Sequence, residues 1–214
     1  MLRNKGIQLL QFWDTEIYSK EGIVQSLISA KCGKSKTVVP ARKTRLVEVP
    51  FQTAQLFHQD NHLQGTIARS QGLVNIGLAF EDKLIAVISL GNHHRQITQT
   101  VLSRLTFKQG TMIIGGSEKL FKQAIQEVSN RPIVTFSDNR ISFGKVYEKL
   151  GFQQDKIINP DYFWVTKDEI VKKQTGKKEY FMKRGGVGNT EVECAESLGF
   201  HQVFDAGKVR WKFR

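Results

Sequence analysis

The chain has 214 residues, of which 40% are hydrophobic and 24% are charged, and this balance excludes a disordered protein. The length is sufficient for one generous domain with small additions. Basic residues give a formal net charge of +12 and occur along the whole chain, so nucleic acid is the natural partner. A basic surface that only aids solubility explains the composition equally well.

Membrane and metal-binding classes are disfavoured by the sequence. No window approaches the ~20 apolar residues of a membrane span, so we expect no membrane partner. The two cysteines, Cys32 and Cys194, are far apart and form no CxxC pair. This predicts free thiols in a reducing compartment and no metal site, which together favour a cytoplasmic protein.

Residues 1–41 combine a helical pattern with a basic linker. The helical stripe, which needs a partner surface, consists of Ile23, Val24, Leu27 and Ile28. From Lys31 to Arg45 the chain contains no acidic residue, so this linker is either a solvated connector or an arm that contacts phosphates. Its candidate phosphate ligands are Lys34, Lys36, Arg42 and Lys43.

Residues 42–166 alternate between strand and helix patterns. Strands are predicted at residues 44–49, 74–80, 84–90, 100–108, 132–136, 152–157 and 162–165. Helices are predicted from Thr53 to near Asn61, at 117–128 and at 143–150. The turn at 81–83 makes a hairpin, and the crossover between the strands at 100–108 and 132–136 makes that pair parallel. The pattern predicts an α/β domain with a mixed sheet.

Residues 167–214 are predicted to form a basic C-terminal extension with a helix and a β-hairpin. The glycines at 185, 186 and 188 suggest a mobile boundary between the basic stretch and the helix of this extension. Thr190 and Glu193 have the spacing of a capping box, which predicts a helix start. The final hairpin is expected at 201–213, turning at 205–207.

A glycine turn between a strand and a helix is the strongest candidate for a ligand site. Ile114, Gly115, Gly116 and Ser117 lie where the strand pattern ends and the helix pattern begins. Unpaired amides at a helix start next to glycines can bind a phosphate or a pyrophosphate. A tight turn that only packs the helix on the sheet is the alternative, and a glycine pair alone favours it.

A second segment places polar residues near the same edge of the sheet. Asp138 and Arg140 follow a predicted strand, and Tyr147 lies on the helix after it, in the string YEKLGF. This string resembles the corresponding end of the GNAT-type N-acetyltransferase fold. The resemblance implies that Tyr147 is the general acid for the coenzyme A thiolate, and that acetyl-CoA or a related acyl-CoA binds at the glycine turn. Met112 stands where that family usually has Arg or Gln.

A longer resemblance covers almost the whole chain. It is carried by NHLQG at 61–65, NIGLAFEDKLIAVISLG at 75–91, GTMIIGGSEKLFK at 110–122 and SDNR at 137–140. These strings resemble a GNAT-like phage domain found in Mom-type DNA-modification enzymes and at the C-terminal end of Vsr-like homing endonucleases. The fold implied is a mixed, mostly antiparallel sheet flanked by helices, in a phage-encoded protein acting in the host cytoplasm.

The same resemblance implies a catalytic set of His62, Asp138 and Tyr147, with DNA as the partner and a DNA base as the acceptor. A DNA-binding domain without chemistry, as beside a nuclease, is the alternative, and an ordinary small-molecule or protein acetyltransferase is a third reading. Residues 6–33 resemble the tail of the nuclease domain in those endonucleases. The sequence leaves the oligomeric state open.

Other histidines and arginines complete the candidates. His58 and His62 have helical spacing, but no third metal ligand is placed near them. His93 and His94 lie past a strand end, where a base could act, although solvated loop histidines are more common. Further nucleic-acid contacts are expected from Arg95, Arg104 and Arg140.

Overall fold

The computed structural model describes residues 5–93, 96, 98–128 and 131–213. In chain order its strands are β1 (Thr37–Pro40), β2 (Arg45–Glu48), β3 (Val74–Phe80), β4 (Lys83–Asn92), β5 (Thr100–Phe107), β6 (Thr111–Ile114), β7 (Ile133–Asp138), β8 (Gln153–Ile158), β9 (Tyr162–Val165), β10 (Ile170–Lys172), β11 (His201–Phe204) and β12 (Lys208–Phe213).

The helices are α1 (Asp14–Ser19), α2 (Glu21–Lys31), α3 (Phe51–Asn61), α4 (Gly116–Ala124), α5 (Lys145–Lys149), α6 (Lys178–Met182) and α7 (Glu191–Glu196). Short 3-10 turns occur at Ala41–Lys43 and Arg69–Gln71. Within the described residues, no helix has the length and apolar character needed to cross a bilayer.

The main sheet has seven strands in the order β2-β3-β4-β5-β7-β12-β8. Only β5 and β7 run parallel, and the other neighbours in this sheet are antiparallel. The predicted mixed, mostly antiparallel sheet flanked by helices is therefore confirmed, as is the parallel pair on either side of the crossover. The predicted hairpin of β3 and β4 is also confirmed, with Glu81 and Asp82 in the left-handed conformation that its two-residue turn requires.

The parallel pair is short and opens toward its carboxyl ends. β5 and β7 are paired only through Thr100 with Ile133 and Val101 with Val134. Because β5 continues to Phe107 and β7 to Asp138 without further pairing, the two strands leave room between their later residues. In open α/β sheets this edge, beyond the carboxyl ends of strands, is where ligands collect.

The core lies between the sheet and α4. Leu120, Phe121 and Ala124 are buried on one face of α4, as its amphipathic pattern predicts. They join a cluster with strand residues such as Leu78 and Ile88. Phe121 of α4 packs on Phe152 just before β8, with ring centroids 5.1 Å apart.

The basic linker contains a strand that the sequence pattern does not reveal. β1 pairs in parallel with β6, forming a two-stranded sheet in which Val39 is opposite Ile113. The segment at 110–116 is therefore a strand followed by a turn, whereas the sequence indicates only a connection. Pairing with β1 fixes the linker beside the glycine turn.

The predicted C-terminal hairpin is wrong. β11 pairs with β9, in a three-stranded sheet with β10, while β12 inserts between β7 and β8 in the main sheet. The turn between β11 and β12 is held at the end of β7. Asn139, the residue after β7, donates to the carbonyls of Gly207 (3.1 Å) and Ala206 (3.0 Å). The capping box of α7 is confirmed, since Thr190 Oγ1 accepts from the amide of Glu193 at 3.1 Å.

The N-terminal helices pack against the main domain. Ile23 and Val24 of α2 are buried against Leu63, and Ile141 completes this small cluster. The partner surface that the helical stripe requires is thus formed by the segments after α3 and β7. Both cysteines are free, with Cys32 exposed and Cys194 buried.

Candidate functional site

Tyr147 lies at the opening between β5 and β7. Its hydroxyl is hydrogen-bonded to Thr135, the first residue of β7 beyond the paired segment. Its ring contacts Trp211 and Phe152, with centroids 6.2 and 5.8 Å away. Phe152 also contacts Phe121 of α4. Phe152 thus connects Tyr147 to α4, the helix that begins at the glycine turn.

The hydrogen bonds around Thr135 fix the direction of the proton on Tyr147. Thr135 donates its own hydroxyl proton to the carbonyl oxygen of Leu102 at 3.0 Å. Its oxygen can then only accept, so the hydroxyl of Tyr147 donates to it. Burial raises the pKa of Tyr147 above its ordinary value, and the hydrogen bond with Thr135 and the positive charge of Arg104 only partly oppose this rise. Tyr147 thus holds its proton at neutral pH.

Arg104 of β5 lies between Tyr147 and the turn at 62–66 that follows α3. Its guanidinium donates to the carbonyl oxygens of Gly65 (3.1 Å), Ser103 (2.7 Å) and Thr66 (3.3 Å). These bonds hold the turn against the strand. The guanidinium that the sequence assigns to nucleic-acid contact is thus engaged by backbone carbonyls inside the site.

His62 begins this turn and lies in a positively charged environment. Its Nδ1 atom accepts a hydrogen bond from the amide of Gln64 at 3.1 Å. Burial, and then the charges of Arg104, His58 and Lys20, lower its pKa to about 3. The ring is therefore neutral at pH 7. The positive charge of Arg104 thus acts on both His62 and Tyr147.

His58, one helical turn before His62, belongs to a buried chain of hydrogen bonds. Its Nε2 lies 2.7 Å from Ser89 Oγ, and its Nδ1 lies 2.8 Å from Thr106 Oγ1. Ser89 donates to Asn75 Oδ1 at 2.6 Å, and Asn75 donates to the Gly72 carbonyl at 2.8 Å.

These directions leave one tautomer. Because the proton of Ser89 is used, Nε2 of His58 must donate to Ser89, and Nδ1 accepts from Thr106. Burial, with a smaller contribution from Arg104, lowers the pKa of His58 to about 4. Both ring nitrogens are occupied, so this histidine supports the fold beside the site rather than binding a metal.

The glycine turn forms the start of α4. Gly115 has φ of +76°, a left-handed conformation, and is the N-cap of the helix. The first intrahelical bond runs from the Lys119 amide to the Gly115 carbonyl at 3.1 Å, so the amides of Gly116 and Ser117 precede the helical ladder. Ile114 and Gly115 are exposed, which leaves this end of the helix accessible.

The basic linker is fixed beside the glycine turn. The ammonium group of Lys119 on α4 donates to the carbonyl of Ala41 at 2.9 Å and also to the carbonyl of Thr44. Between these two anchors, Arg42 and Lys43 are exposed. Two of the predicted phosphate ligands therefore lie next to the predicted anion loop, a neighbourhood that is not evident from the sequence.

Asp138 and Arg140 form a separate group. Arg140 is buried and pairs with Asp138 at 3.1 Å and with Glu16 of α1 at 3.0 Å. Its guanidinium also lies over the ring of Trp13. Alternation along β7 places Asp138 and Thr135 on opposite faces of the strand. The structure thus separates Asp138 from Tyr147, and Arg140 cannot contact a phosphate without losing both carboxylates.

The remaining predicted residues lie nearer the surface. Lys34 and Lys36 are exposed before β1. His94 and Arg95 lie outside the described residues, and His93 is buried at the end of β4. Two site residues were missed by sequence reasoning, Thr135 and Lys20, because a threonine within a strand and a lysine in a helical segment carry no motif.

Comparisons with known proteins give structural likenesses only. No protein-family model matches the chain, and no curated protein matches it. A Bacillus subtilis acetyltransferase in complex with CoA is 13% identical, with 80% of this chain and 98% of that chain covered and a TM-score of 0.46. The ribosomal-protein-S18-alanine N-acetyltransferase from Escherichia coli is 13% identical, with 79% and 92% covered and a TM-score of 0.46.

A GNAT family acetyltransferase from Elizabethkingia anophelis with acetyl-CoA bound is 12% identical, with 80% and 98% covered and a TM-score of 0.47. None of these three structures is described as a DNA-modifying enzyme. With TM-scores below 0.5, these likenesses assign no activity to the chain. The function is therefore inferred from the geometry of the site.

Proposed function

We propose that this protein is a GNAT-like acyltransferase that uses an acyl-CoA to modify a base of DNA. The observation that carries the proposal is the position of Tyr147, a protonated tyrosine held by Thr135 where β5 and β7 separate. A partly buried tyrosine with a raised pKa, beside an opening at the carboxyl ends of strands, has the properties of a general acid.

The residues around the glycine turn fit an acyl-CoA. The exposed Gly115, the amides of Gly116 and Ser117 and the adjacent Arg42 and Lys43 offer donors and positive charge to a pyrophosphate. When bound, an acyl-CoA supplies an activated acyl group on a thiol that must leave with a proton. Tyr147 is the group that would provide this proton.

Proton balance assigns a role to the second residue. The acceptor nitrogen loses one proton as it gains the acyl group, and the departing thiol gains one. Tyr147 donates from its hydroxyl oxygen, and the proton of the acceptor nitrogen leaves to solvent. Neutral His62 acts there as a hydrogen-bond donor, since its Nδ1 accepts from the Gln64 amide and its proton is therefore on Nε2. Asp138, paired with Arg140, is left to maintain the position of the N-terminal helices.

DNA as the acceptor is supported by charge and by the sequence resemblance. The formal net charge is +12, and the linker has four exposed basic residues, Lys34, Lys36, Arg42 and Lys43, of which the last two are next to the glycine turn. The strings that resemble phage Mom-type enzymes favour a base over a sugar or a protein as the acceptor.

Nucleoside mass spectrometry tests the proposal. DNA from cells that express the protein should contain a mass-shifted nucleoside, and this product should be absent with Tyr147→Phe. Tyr18→Phe is the matched control, because Tyr18 is 86% exposed. Unmodified DNA from cells containing folded wild-type protein would contradict a DNA-modifying activity.

The alternative is a DNA-binding domain that keeps the fold without chemistry. It is favoured by one observation: a Cβ atom on Gly116 would lie 2.8 Å from side-chain atoms of Ile113, so packing alone requires this glycine. This alternative predicts steeply salt-dependent DNA binding without any binding of acetyl-CoA by calorimetry. Saturable acetyl-CoA binding would exclude it.

A further inference from the structure

Two cations lie against the turn that begins at His62, and both are bonded to backbone oxygens. Arg104 donates to carbonyls of residues 65, 66 and 103, and Lys20 donates to the carbonyl of Leu63 at 2.6 Å. Across the described ranges, neither side chain forms an ion pair with a carboxylate. Carbonyl groups satisfy hydrogen bonds but carry no net charge, so the positive charge of both groups persists.

Both cations act on the turn that begins at His62. Each is partly removed from solvent, which strengthens its field inside the site. Together with burial, they lower the pKa of His62 to about 3, so a cationic ring is strongly disfavoured at this position. A second cation brought by a substrate would meet the same repulsion.

The acids near this edge of the sheet do not offset the charge. Glu16 and Asp138 both bind Arg140, and their side chains are only 16% and 14% exposed. This group of two carboxylates and one guanidinium carries one negative charge in total, and its Asp138 lies on the opposite face of β7 from Thr135, the partner of Tyr147. Arg104 and Lys20 thus keep an uncompensated positive charge beside the turn at 62–66.

We propose that the site takes an acceptor whose reacting nitrogen is uncharged, such as the exocyclic amine of a nucleobase, and rejects acceptors that carry an ammonium group there. This inference rests on the acyltransferase function proposed above. It distinguishes a nucleobase from lysine side chains and polyamines, which carry a proton on nitrogen at neutral pH. It makes Arg104 and Lys20 specificity-determining residues.

Ligand binding measured without acyl-CoA tests this selectivity apart from turnover. Calorimetry on the full chain should detect cytidine or adenosine, which carry uncharged exocyclic amines. Tyramine and spermidine, which carry ammonium groups, should bind at least about tenfold more weakly. The same order should hold for CoA release from acetyl-CoA with each compound as the acceptor.

Lys20→Met removes one of the two charges and should reduce the ratio of the affinity for cytidine to the affinity for tyramine about tenfold. Lys178→Met is the matched control, because Lys178 also donates to a backbone carbonyl, that of Asn189 at 2.8 Å, in the C-terminal part of the chain. It should leave the selectivity unchanged. Arg104→Gln extends the series, with circular dichroism to verify its fold.

The outcomes separate the two proposals. Tyramine or spermidine binding as tightly as cytidine overturns the charge selectivity, as does failure of the uncharged compounds to bind. Equal selectivity in Lys20→Met and wild type overturns the role of Lys20. If the wild-type protein does not bind acetyl-CoA but still prefers uncharged ligands, the acyltransferase function is contradicted and the charge selectivity is supported.

Discussion

Tyr147 donates its hydroxyl proton to Thr135, whose own proton is already donated to a backbone carbonyl. The tyrosine is therefore held in one orientation at the point where two parallel strands separate, and burial keeps its pKa above the ordinary value. Thr135 acts only by orientation, since its oxygen accepts and has no proton to supply. The proton donor of the site therefore lies on α5, and the cation Arg104 lies on β5, on the other side of the opening.

Replacing Tyr147 with Phe should lower the rate of acyl transfer by about 10²-fold or more, because general acid catalysis contributes roughly that factor. The packing against Trp211 and Phe152 is retained by the phenyl ring, so the free energy of unfolding should change little. CoA release and urea denaturation measure the two quantities. A variant with full activity would show that Tyr147 is not the acid.

Thr135→Val should have a smaller effect in the same direction. The valine keeps the shape of the threonine but leaves the Tyr147 hydroxyl and the Leu102 carbonyl without their partner. Because misorientation of Tyr147 affects proton donation and not the binding of acyl-CoA, we expect a lowered rate with an unchanged KM for acyl-CoA. An unaltered rate would assign Thr135 to packing alone.

Much of the fold follows from local sequence pattern. The hairpin of β3 and β4 is predictable because alternating apolar residues flank a two-residue turn, and the amphipathic stripe of α4 identifies its buried face. The YEKLGF string likewise draws attention to Tyr147. Each of these signals spans fewer than about twenty residues, and local energetics dominate each of them.

The errors arise where the partner is distant in sequence. The turn between β11 and β12 has hairpin chemistry, but Asn139 holds it beside β7 and the two strands pair with different sheets. Arg140 binds Glu16, which lies 124 residues away. No periodicity encodes such contacts, so the sequence indicates Arg140 as a surface cation although it is buried.

Acidification should destabilise the protein through His58. Its pKa is about 4 in the folded state, against about 6.5 in an unfolded chain, so the folded state binds fewer protons. The stabilisation is fully present above pH 6.5 and is lost as the pH falls toward 4. Over this window the loss is about 2–3 kcal/mol.

His58→Gln should be less stable than wild type at pH 7 but should lose less stability between pH 7 and 4.5, as measured by urea denaturation. His62 contributes in the same direction because its pKa is about 3, so His62→Gln should also flatten the profile. His201→Gln, at an exposed position on β11, is the control and should follow the wild type. Identical profiles for His58→Gln and wild type would show that the buried chain does not couple to pH.

Arg140→Met should destabilise the protein by about 3–5 kcal/mol, because it leaves the buried carboxylates of Glu16 and Asp138 without a partner. Arg45→Met is the control: the pair of Arg45 and Asp82 is 3.6 Å long and exposed, so its loss should matter by less than about 0.5 kcal/mol. Equal effects of the two substitutions on the urea midpoint would contradict a structural role for Arg140.

Neutralising the basic linker should weaken DNA binding and reduce its salt dependence. The change replaces four exposed residues with glutamine: Lys34, Lys36, Arg42 and Lys43. Each phosphate contact contributes about 0.9 to the slope of log affinity against log salt for duplex DNA, so losing all four lowers the slope by about 3 to 4.

Fluorescence anisotropy with a labelled duplex at several salt concentrations gives this slope directly. The matched control replaces four other exposed lysines, whose loss changes the net charge of +12 by the same amount: Lys149, Lys172, Lys177 and Lys183. If net charge alone attracted DNA, both variants would lose the same slope. A larger loss in the linker variant is expected, because β1 and the bonds of Lys119 fix that segment beside β6 and the glycine turn.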